Sequence, residues 1–288
     1  MSHILGGKKI KDEIKERLTT EFSRLPETLG LAIIQVGERE DSIAYINHKK
    51  KFGKDIGAHV EHFTFPDRTS EDQLISLIEK LNTDDSVHGI ILQLPLPEYL
   101  DEKRIIFSID SHKDVDGLTP HNIALLYQNK RGLVPATARG VVTLLDYYDI
   151  DIEGKDVVVI GRSDLAGKPI ALSLLNRNAT VTMCHSHTEN LEQKTLEADI
   201  IIVATGVKHL IKKEHVTKDQ IIIDVGIHSV ASEKEEFEIP ETKYTGDVDF
   251  DEVAPLVAGI TPVPGGVGQL TVACLYENLL DAYVISRM

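Results

Sequence analysis

Six short apolar runs, each followed or preceded by a longer amphipathic stretch, restrict this chain more than any other feature. The runs are Leu31–Val36, Val87–Leu94, Asp156–Ile160, Thr180–Cys184, Asp199–Ala204 and Gln220–Val225. Each has the length of a strand and is rich in Val and Ile, the pattern of strands buried on both faces of a parallel sheet. Between them Ile10, Ile14 and Leu18 recur at i, i+4, i+8, and Leu74, Leu77, Ile78 and Leu81 at i, i+3, i+4, i+7. That spacing places apolar side chains on one face of a helix. Alternating strands and helices predict an α/β architecture with parallel sheets.

The length of 288 residues suits roughly two domains. One boundary is predicted in QNKRGLVPATARG (128–140), ahead of an amphipathic run through Val141, Val142, Leu144 and Leu145. Another lies in GITPVPGGVG (259–268), read as loop because proline removes a backbone donor and glycine admits positive φ. Leu270–Ile285 then reads as a closing helix. The expected division is 1–135 and 136–267, with 268–288 packing back on the first domain. A net charge of −15 argues against nucleic acid or anionic membranes as partners. No stretch approaches the ~18 apolar residues of a membrane span, and the N-terminus turns charged too early for a secretory signal. Cys184 and Cys274 are the only cysteines, so no disulfide framework is implied and a cytoplasmic location is expected. The histidines lack metal-ligand spacing such as HExxH, so no metal is expected.

Asp156–Ile160 runs directly into GRSDLAGKP (161–169), a stretch from Pro169 reads as helix, and TVTMC follows. Such a glycine-containing turn either presents backbone N–H groups and a helix N-terminus to a phosphate, or is a plain α/β turn. The spacing is G-x5-G, not the G-x-G-x-x-G of the common dinucleotide fingerprint. No acid appears after the second strand until Glu189, where an NAD site would hold one for the ribose hydroxyls. Arg162, Ser186 and His187 supply cation and hydroxyl donors instead, which suits a 2′-phosphate and hence NADP.

In the first half, DSIAYINHKKKFGKDIGA (41–58) reads as a helix capped by Asp41 or Ser42. Tyr45 and Lys49 stand four apart and share a face. A lysine tuned by its neighbours is a general acid/base, but Lys49–Lys51 also reads as a solvated basic face. Gln93 ends an apolar strand and needs a partner there, for which Lys49 is a candidate. KDVDG (113–117) puts Asp114 and Asp116 in a loop, to cap turns or to accept hydrogen bonds from an amino-heterocycle.

Taken together, SIAYINHK (42–49), GIILQLPLP (89–97), KDVDG (113–117), VVVIGRSDLAGKP (157–169), TVTMCHSHT (180–188), ADIIIVATG (198–206), IIIDVGI (221–227), GDVDF (246–250) and ITPVPGGVG (260–268) resemble one family over nearly the whole chain. It is the bifunctional methylenetetrahydrofolate dehydrogenase/methenyltetrahydrofolate cyclohydrolase family. The resemblance implies an N-terminal α/β domain that binds folate and a C-terminal Rossmann-type domain that binds NADP, with the active site in the cleft between them. It implies NADP-dependent oxidation of 5,10-methylenetetrahydrofolate to the methenyl form, then hydrolysis to 10-formyltetrahydrofolate. By the same resemblance Lys49 is the catalytic lysine, Tyr45 lines the folate site, Gln93 bonds the lysine and Asp116 anchors the pterin. Leu94, Pro95, Pro264, Gly265 and Gly266 border the folate. Gly161, Arg162, Ser163, Ser186, Thr205 and Ile227 contact the cofactor. A homodimer acting on tetrahydrofolate derivatives, in one-carbon metabolism leading to purine biosynthesis, is implied as well. The competing readings are a dehydrogenase without the hydrolase, and an idle nucleotide-binding module.

The chain departs from the family pattern at Ala136 and Ala138, where P-C-T-P is usual, and at Gln269 and Leu270, where proline and methionine follow PGGVG. His187 stands where Lys or Arg is common, and Gly6 where Asp is frequent.

Overall fold

A computed structural model describes residues 3–230 and 243–287. The chain divides into two compact units. One comprises Asp12–Ala136 and the residues from Val272 onward; the other comprises the residues up to Lys11 and Thr137–Thr271.

The first unit is built on a three-stranded parallel sheet, in the order His59–Phe65, Gly30–Val36, Gly89–Leu92. Gly30–Val36 is central and buried throughout, as a sequence apolar but for Gln35 leads one to expect. His59–Phe65 went unrecognised among the apolar runs because it is an edge strand whose residues alternate toward solvent. Helices Lys8–Ser23, Glu40–Ile56 and Glu71–Thr83 follow the predicted periodicities, the last opened by a reciprocal Ser70/Gln73 cap. Glu40–Ile56 begins ahead of both residues expected to cap it, with Arg39 in the cap position, and ends on Gly57 at φ 88°. Pro120–Tyr127, with proline in its first turn, is a further helix. The closing helix runs Leu270–Ile285, as read from the sequence.

The second unit carries a six-stranded sheet in the order His3–Ile4, Gly259–Ile260, Ile221–Asp224, Ile200–Val203, Asp156–Ile160, Thr180–Cys184, with every pairing parallel. Three corrections follow from this order. Thr180–Cys184 is an edge strand, exposed at Thr180 and Thr182, and is not buried on both faces. The stretch expected to be loop from residue 259 opens as the strand Gly259–Ile260. His3–Ile4 pairs with that strand, so the first eleven residues cluster with the second unit, although the expected division placed them in the first. The sheet order reverses between Asp156–Ile160 and Ile200–Val203, since the chain leaves the first strand on one side and returns on the other. Open α/β sheets bind ligands outside the carboxyl ends of the strands at such a point.

Candidate active site

Helix Glu40–Ile56 buries Ser42, Ile46, Lys49, Phe52 and Ile56, a stripe at the 3–4 residue spacing of one helix face. Lys49 therefore occupies a core position and is only 6% exposed, whereas Lys51 faces solvent. The solvated-face reading of the basic run fails at Lys49 and holds at Lys51. Lys49 Nζ donates to Gln93 Oε1 at 3.2 Å. Gln93 N donates to Ile34 O and so sits at the carboxyl end of Gly89–Leu92, while its own amide nitrogen donates to Leu94 O at 2.9 Å. That second bond leaves the Gln93 oxygen facing the lysine. The Lys49 ammonium also stands 5.1 Å from the centre of the Tyr45 ring. Leu94 is joined to the exposed Pro95 by a cis peptide bond.

KDVDG lies beside the same strand through Ile90 N, which donates to Lys113 O, and the parallel bridge of Ile90 with Asp114. Its two aspartates divide the alternatives left open by the sequence. Asp114 is buried and accepts from Thr119 N at 2.7 Å and Asn122 Nδ2 at 2.9 Å, so it holds the turn. The half-buried Asp116 accepts no hydrogen bond among the described residues and remains available to a ligand. Burial lowers the Lys49 pKa from its ordinary value, against the pull of the Asp116 charge. Burial likewise raises the Asp116 carboxyl, opposed by Lys49 and assisted by Asp114. Each shift favours the neutral form of its group.

The closing helix supports this arrangement through residues that sequence reasoning passed over. Tyr276, fully buried, donates to Lys49 O at 2.7 Å and stacks on Phe52. Gly53 makes the approach possible, because a Cβ there would lie 2.2 Å from the Tyr276 hydroxyl oxygen. Asn278 donates to Val115 O and Val134 O, fastening the KDVDG loop. A polar residue buried inside an apolar helix was the available signal.

In the second unit, Gly161 N donates to Cys184 O, which sets Arg162 and Ser186 on adjacent loops at the carboxyl edge of the sheet. Gly161 has φ 117°, and a Cβ there would lie 2.1 Å from Ala204 O. A Cβ on Gly167 would lie 2.2 Å from Gly161 O, so the G-x5-G spacing reflects two glycine backbones packed together. Ser163 Oγ accepts from Ala166 N at 3.2 Å and Gly167 N at 3.4 Å at the start of helix Gly167–Leu175, two residues ahead of the predicted start at Pro169. Arg162 is exposed and forms no ion pair among the described residues. A bare glycine turn and an uncommitted guanidinium fit a dinucleotide with a 2′-phosphate. His187 is exposed, its N–H donating to His185 Nδ1 at 3.2 Å. Ile227 is 62% exposed, while Thr205 is held by Asp247. Pro264, Gly265 and Gly266 belong to this unit, where Gly265 O accepts from Gly7 N at 2.7 Å.

The departures are accommodated. Ala136 and Ala138 are buried at the start of helix Ala136–Tyr147, and Leu270 is fully buried. Gln269 Oε1 accepts from Lys11 Nζ, and Gly6 O from the Tyr148 hydroxyl. Among the described residues no group of three His, Cys, Asp or Glu is placed to hold a metal ion.

Asp224 is 3% exposed, and burial pushes its carboxyl up to about 7. A carboxyl raised on folding stabilises the fold below its unfolded pKa, and that contribution is lost as pH rises through about 7. Urea unfolding is therefore expected to show lower stability at pH 8 than at pH 5, by up to about 3 kcal/mol, from roughly two units between pH 5 and about 7 at about 1.4 kcal/mol each. Asp224→Asn is expected to flatten that slope; an unchanged slope would remove Asp224 as its cause.

Comparison with known proteins agrees in both halves. Residues 5–116 match the catalytic domain of tetrahydrofolate dehydrogenase/cyclohydrolase, and residues 135–287 match its NAD(P)-binding domain. A relative named bifunctional protein FolD, from Agathobacter rectalis, is 44% identical over 286 residues, covering 98% of this chain and 99% of its own. The crystal structure of the bifunctional methylenetetrahydrofolate dehydrogenase/cyclohydrolase of Campylobacter jejuni superposes with a TM-score of 0.94 at 40% identity, covering 100% of both chains. The Trypanosoma brucei enzyme, solved with NADP cofactor and inhibitor, gives 0.93 at 34% identity over 99% of this chain and 98% of its own.

Proposed function

The chain belongs to the tetrahydrofolate dehydrogenase/cyclohydrolase family, and on that premise we propose that it oxidises 5,10-methylenetetrahydrofolate with NADP and hydrolyses the 5,10-methenyl product to 10-formyltetrahydrofolate. The observation that carries the reading is the buried Lys49, with Gln93 Oε1 3.2 Å from its nitrogen. Hydride transfer moves no proton, whereas the hydrolysis does.

We assign Asp12–Ala136 with the closing helix to folate and catalysis, and Thr137–Thr271 with the first eleven residues to the cofactor. Lys49, Tyr45, Gln93 and Asp116 form the catalytic set. Leu94, Pro95 and the Pro264–Gly266 loop border the folate. Gly161, Arg162, Ser163, Ser186, Thr205 and Ile227 hold NADP, with Arg162 and Ser186 on the 2′-phosphate.

NADP, when bound, accepts the hydride that leaves the methylene bridge. The residues of the chain hold the folate for that transfer and then serve the hydrolysis. Water adds to the cationic methenyl carbon, loses a proton, and the ring carbon–nitrogen bond opens to leave the formyl group. An ammonium beside a cationic carbon would be repelled, so the lowered Lys49 pKa is the property the step requires. Neutral Lys49 accepts the first proton of the added water and returns it to the departing nitrogen, while the remaining hydroxyl proton leaves to solvent as the formyl carbonyl forms. Gln93 holds the amine in place, and the Asp116 carboxyl receives the N–H groups of the pterin.

The same resemblance supports a homodimer in the cytoplasm, with the formyl product entering purine biosynthesis. Both cysteines are buried and neither forms a disulfide among the described residues, which suits a reducing compartment. Among the described residues no helix is long and apolar enough to cross a membrane.

A single time course tests the reading. Purified protein is mixed with methylenetetrahydrofolate and NADP, and NADPH and methenyl product are followed by absorbance. The expected result is NADPH formation without methenyl accumulation. Accumulating methenyl would leave a dehydrogenase and move Lys49 to a binding role. No turnover with either NADP or NAD would overturn the assignment.

A further inference from the structure

The GDVDF motif takes no part in the function assigned above, yet its Asp247 is fully buried at the carboxyl edge of the second unit's sheet. One carboxylate oxygen, Oδ2, accepts three bonds from a single turn: Thr205 N at 2.6 Å, Thr205 Oγ1 at 2.9 Å and Gly206 N at 3.0 Å. The other, Oδ1, pairs with His228 Nε2 at 2.7 Å. Thr205 follows strand Ile200–Val203, and His228 follows strand Ile221–Asp224. The two strands are neighbours in the sheet. Asp247 therefore joins the loops that leave two adjacent strands.

Its own backbone is fastened in turn. Asp224 ends the second of those strands and accepts from Asp247 N at 3.1 Å, Val248 N at 2.9 Å and Gly226 N at 3.0 Å. Five loop N–H groups and a hydroxyl that would otherwise seek water are gathered by two carboxylates. Bonds to a charged acceptor are the strong ones, and a buried carboxylate stripped of them would be costly. A tie of this kind has one arrangement, in which the exposed Ile227 side chain and the Thr205 turn hold a fixed separation.

We propose that Asp247 is the positioning residue of the cofactor site: it touches no ligand, and sets Thr205 and Ile227 to receive the dinucleotide. The proposal rests on the NADP reading of this unit. His228 acts as the second anchor, donating from Nε2 to a carboxylate whose other oxygen is filled. Thr205 accordingly serves as a spacer, its hydroxyl committed to Asp247.

The test compares Asp247→Asn and Thr205→Val with the wild-type protein by three measurements. The first is KM and kcat for NADP. The second is hydrolysis of added methenyltetrahydrofolate, which needs no cofactor. The third is amide exchange at Thr205 and Gly206 without ligand. Asparagine keeps the size but brings an N–H group to one side of a site that holds only donors. Expected for Asp247→Asn are a roughly tenfold rise in KM for NADP, little change in kcat, hydrolysis within about twofold of wild type, and roughly tenfold faster exchange at both amides. Thr205→Val loses the bond to Asp247 and the one its hydroxyl accepts from Val207 N at 3.1 Å, and is expected to raise KM about threefold.

Unchanged KM with accelerated exchange would overturn the proposal while leaving the NADP site standing. Unchanged exchange would overturn the tie itself. Wild-type protein that hydrolyses methenyltetrahydrofolate but does not use NADP would instead overturn the cofactor reading. Should Asp247→Asn fail to fold, Thr205→Val decides, and an unchanged KM there counts against the proposal.

Discussion

Replacing Lys49 by methionine is expected to slow methenyl hydrolysis by about 10²–10⁴-fold, the range supplied by a positioned acid/base, while NADP binds as before. Methionine keeps the length of the side chain and removes the amine. The lysine lies in the buried stripe of its helix, so the substitution puts an apolar group where the sequence periodicity calls for one. Thermal stability is expected to hold or rise, because an amine that must be desolvated is gone. The pH dependence gives a second check. Since the Lys49 pKa is lowered by burial, the hydrolysis rate is expected to climb along a limb lying below pH 10.5, and that limb should vanish in Lys49→Met. The linkage has a definite sign: an amine depressed on folding stabilises above its unfolded pKa, and that contribution is lost as pH falls through the folded one. Wild-type hydrolysis that stayed flat from pH 6 to beyond pH 9, or a methionine variant hydrolysing at the wild-type rate, would take Lys49 out of the mechanism.

The second large effect is expected from Gly161→Ala. Gly161 holds φ 117°, and the added Cβ would meet Ala204 O at 2.1 Å. Backbone atoms of two neighbouring strand ends would have to separate. Backbone strain of about 1–3 kcal/mol and overpacking of about 1–3 kcal/mol act together. A loss of roughly 3 kcal/mol should lower the melting temperature of the second unit by about 6–12 °C. Affinity for NADP is expected to fall by more than tenfold, because the turn that faces the phosphates is the one displaced. Normal NADP affinity at a temperature where the variant is folded would show that the turn does not hold the cofactor.

Periodicity found the buried strands and the longer helices because both are dictated by which faces meet the core. It missed His59–Phe65, whose edge position leaves half its residues polar, and misjudged Thr180–Cys184, whose apolar sequence says nothing about having only one neighbour. The two pairings of the N-terminal strand join residues 256 apart, Ile4 with Ile260 and His3 with Gly259. Two-residue strands carry no pattern of their own. Around Lys49 the spacing from Tyr45 and the unpaired amide of Gln93 were legible. The choice between Asp114 and Asp116 was not, because both spacings fit a turn and only the positions of Thr119 and Asn122 separate them. Tyr276 and Asp247 stayed hidden for a shared reason: each acts on a backbone far away in the chain, and no local spacing records that.

The division into two discontinuous units bears on the order in which the protein is made. Lys49 leaves the ribosome 227 residues ahead of Tyr276, which with Asn278 fastens its helix backbone and the KDVDG loop. His3–Ile4 likewise waits for Gly259–Ile260 before it has a partner. A nascent chain therefore carries the Lys49 amine through those 227 residues without the contacts that set it, and its surroundings are complete only when helix Leu270–Ile285 has been released.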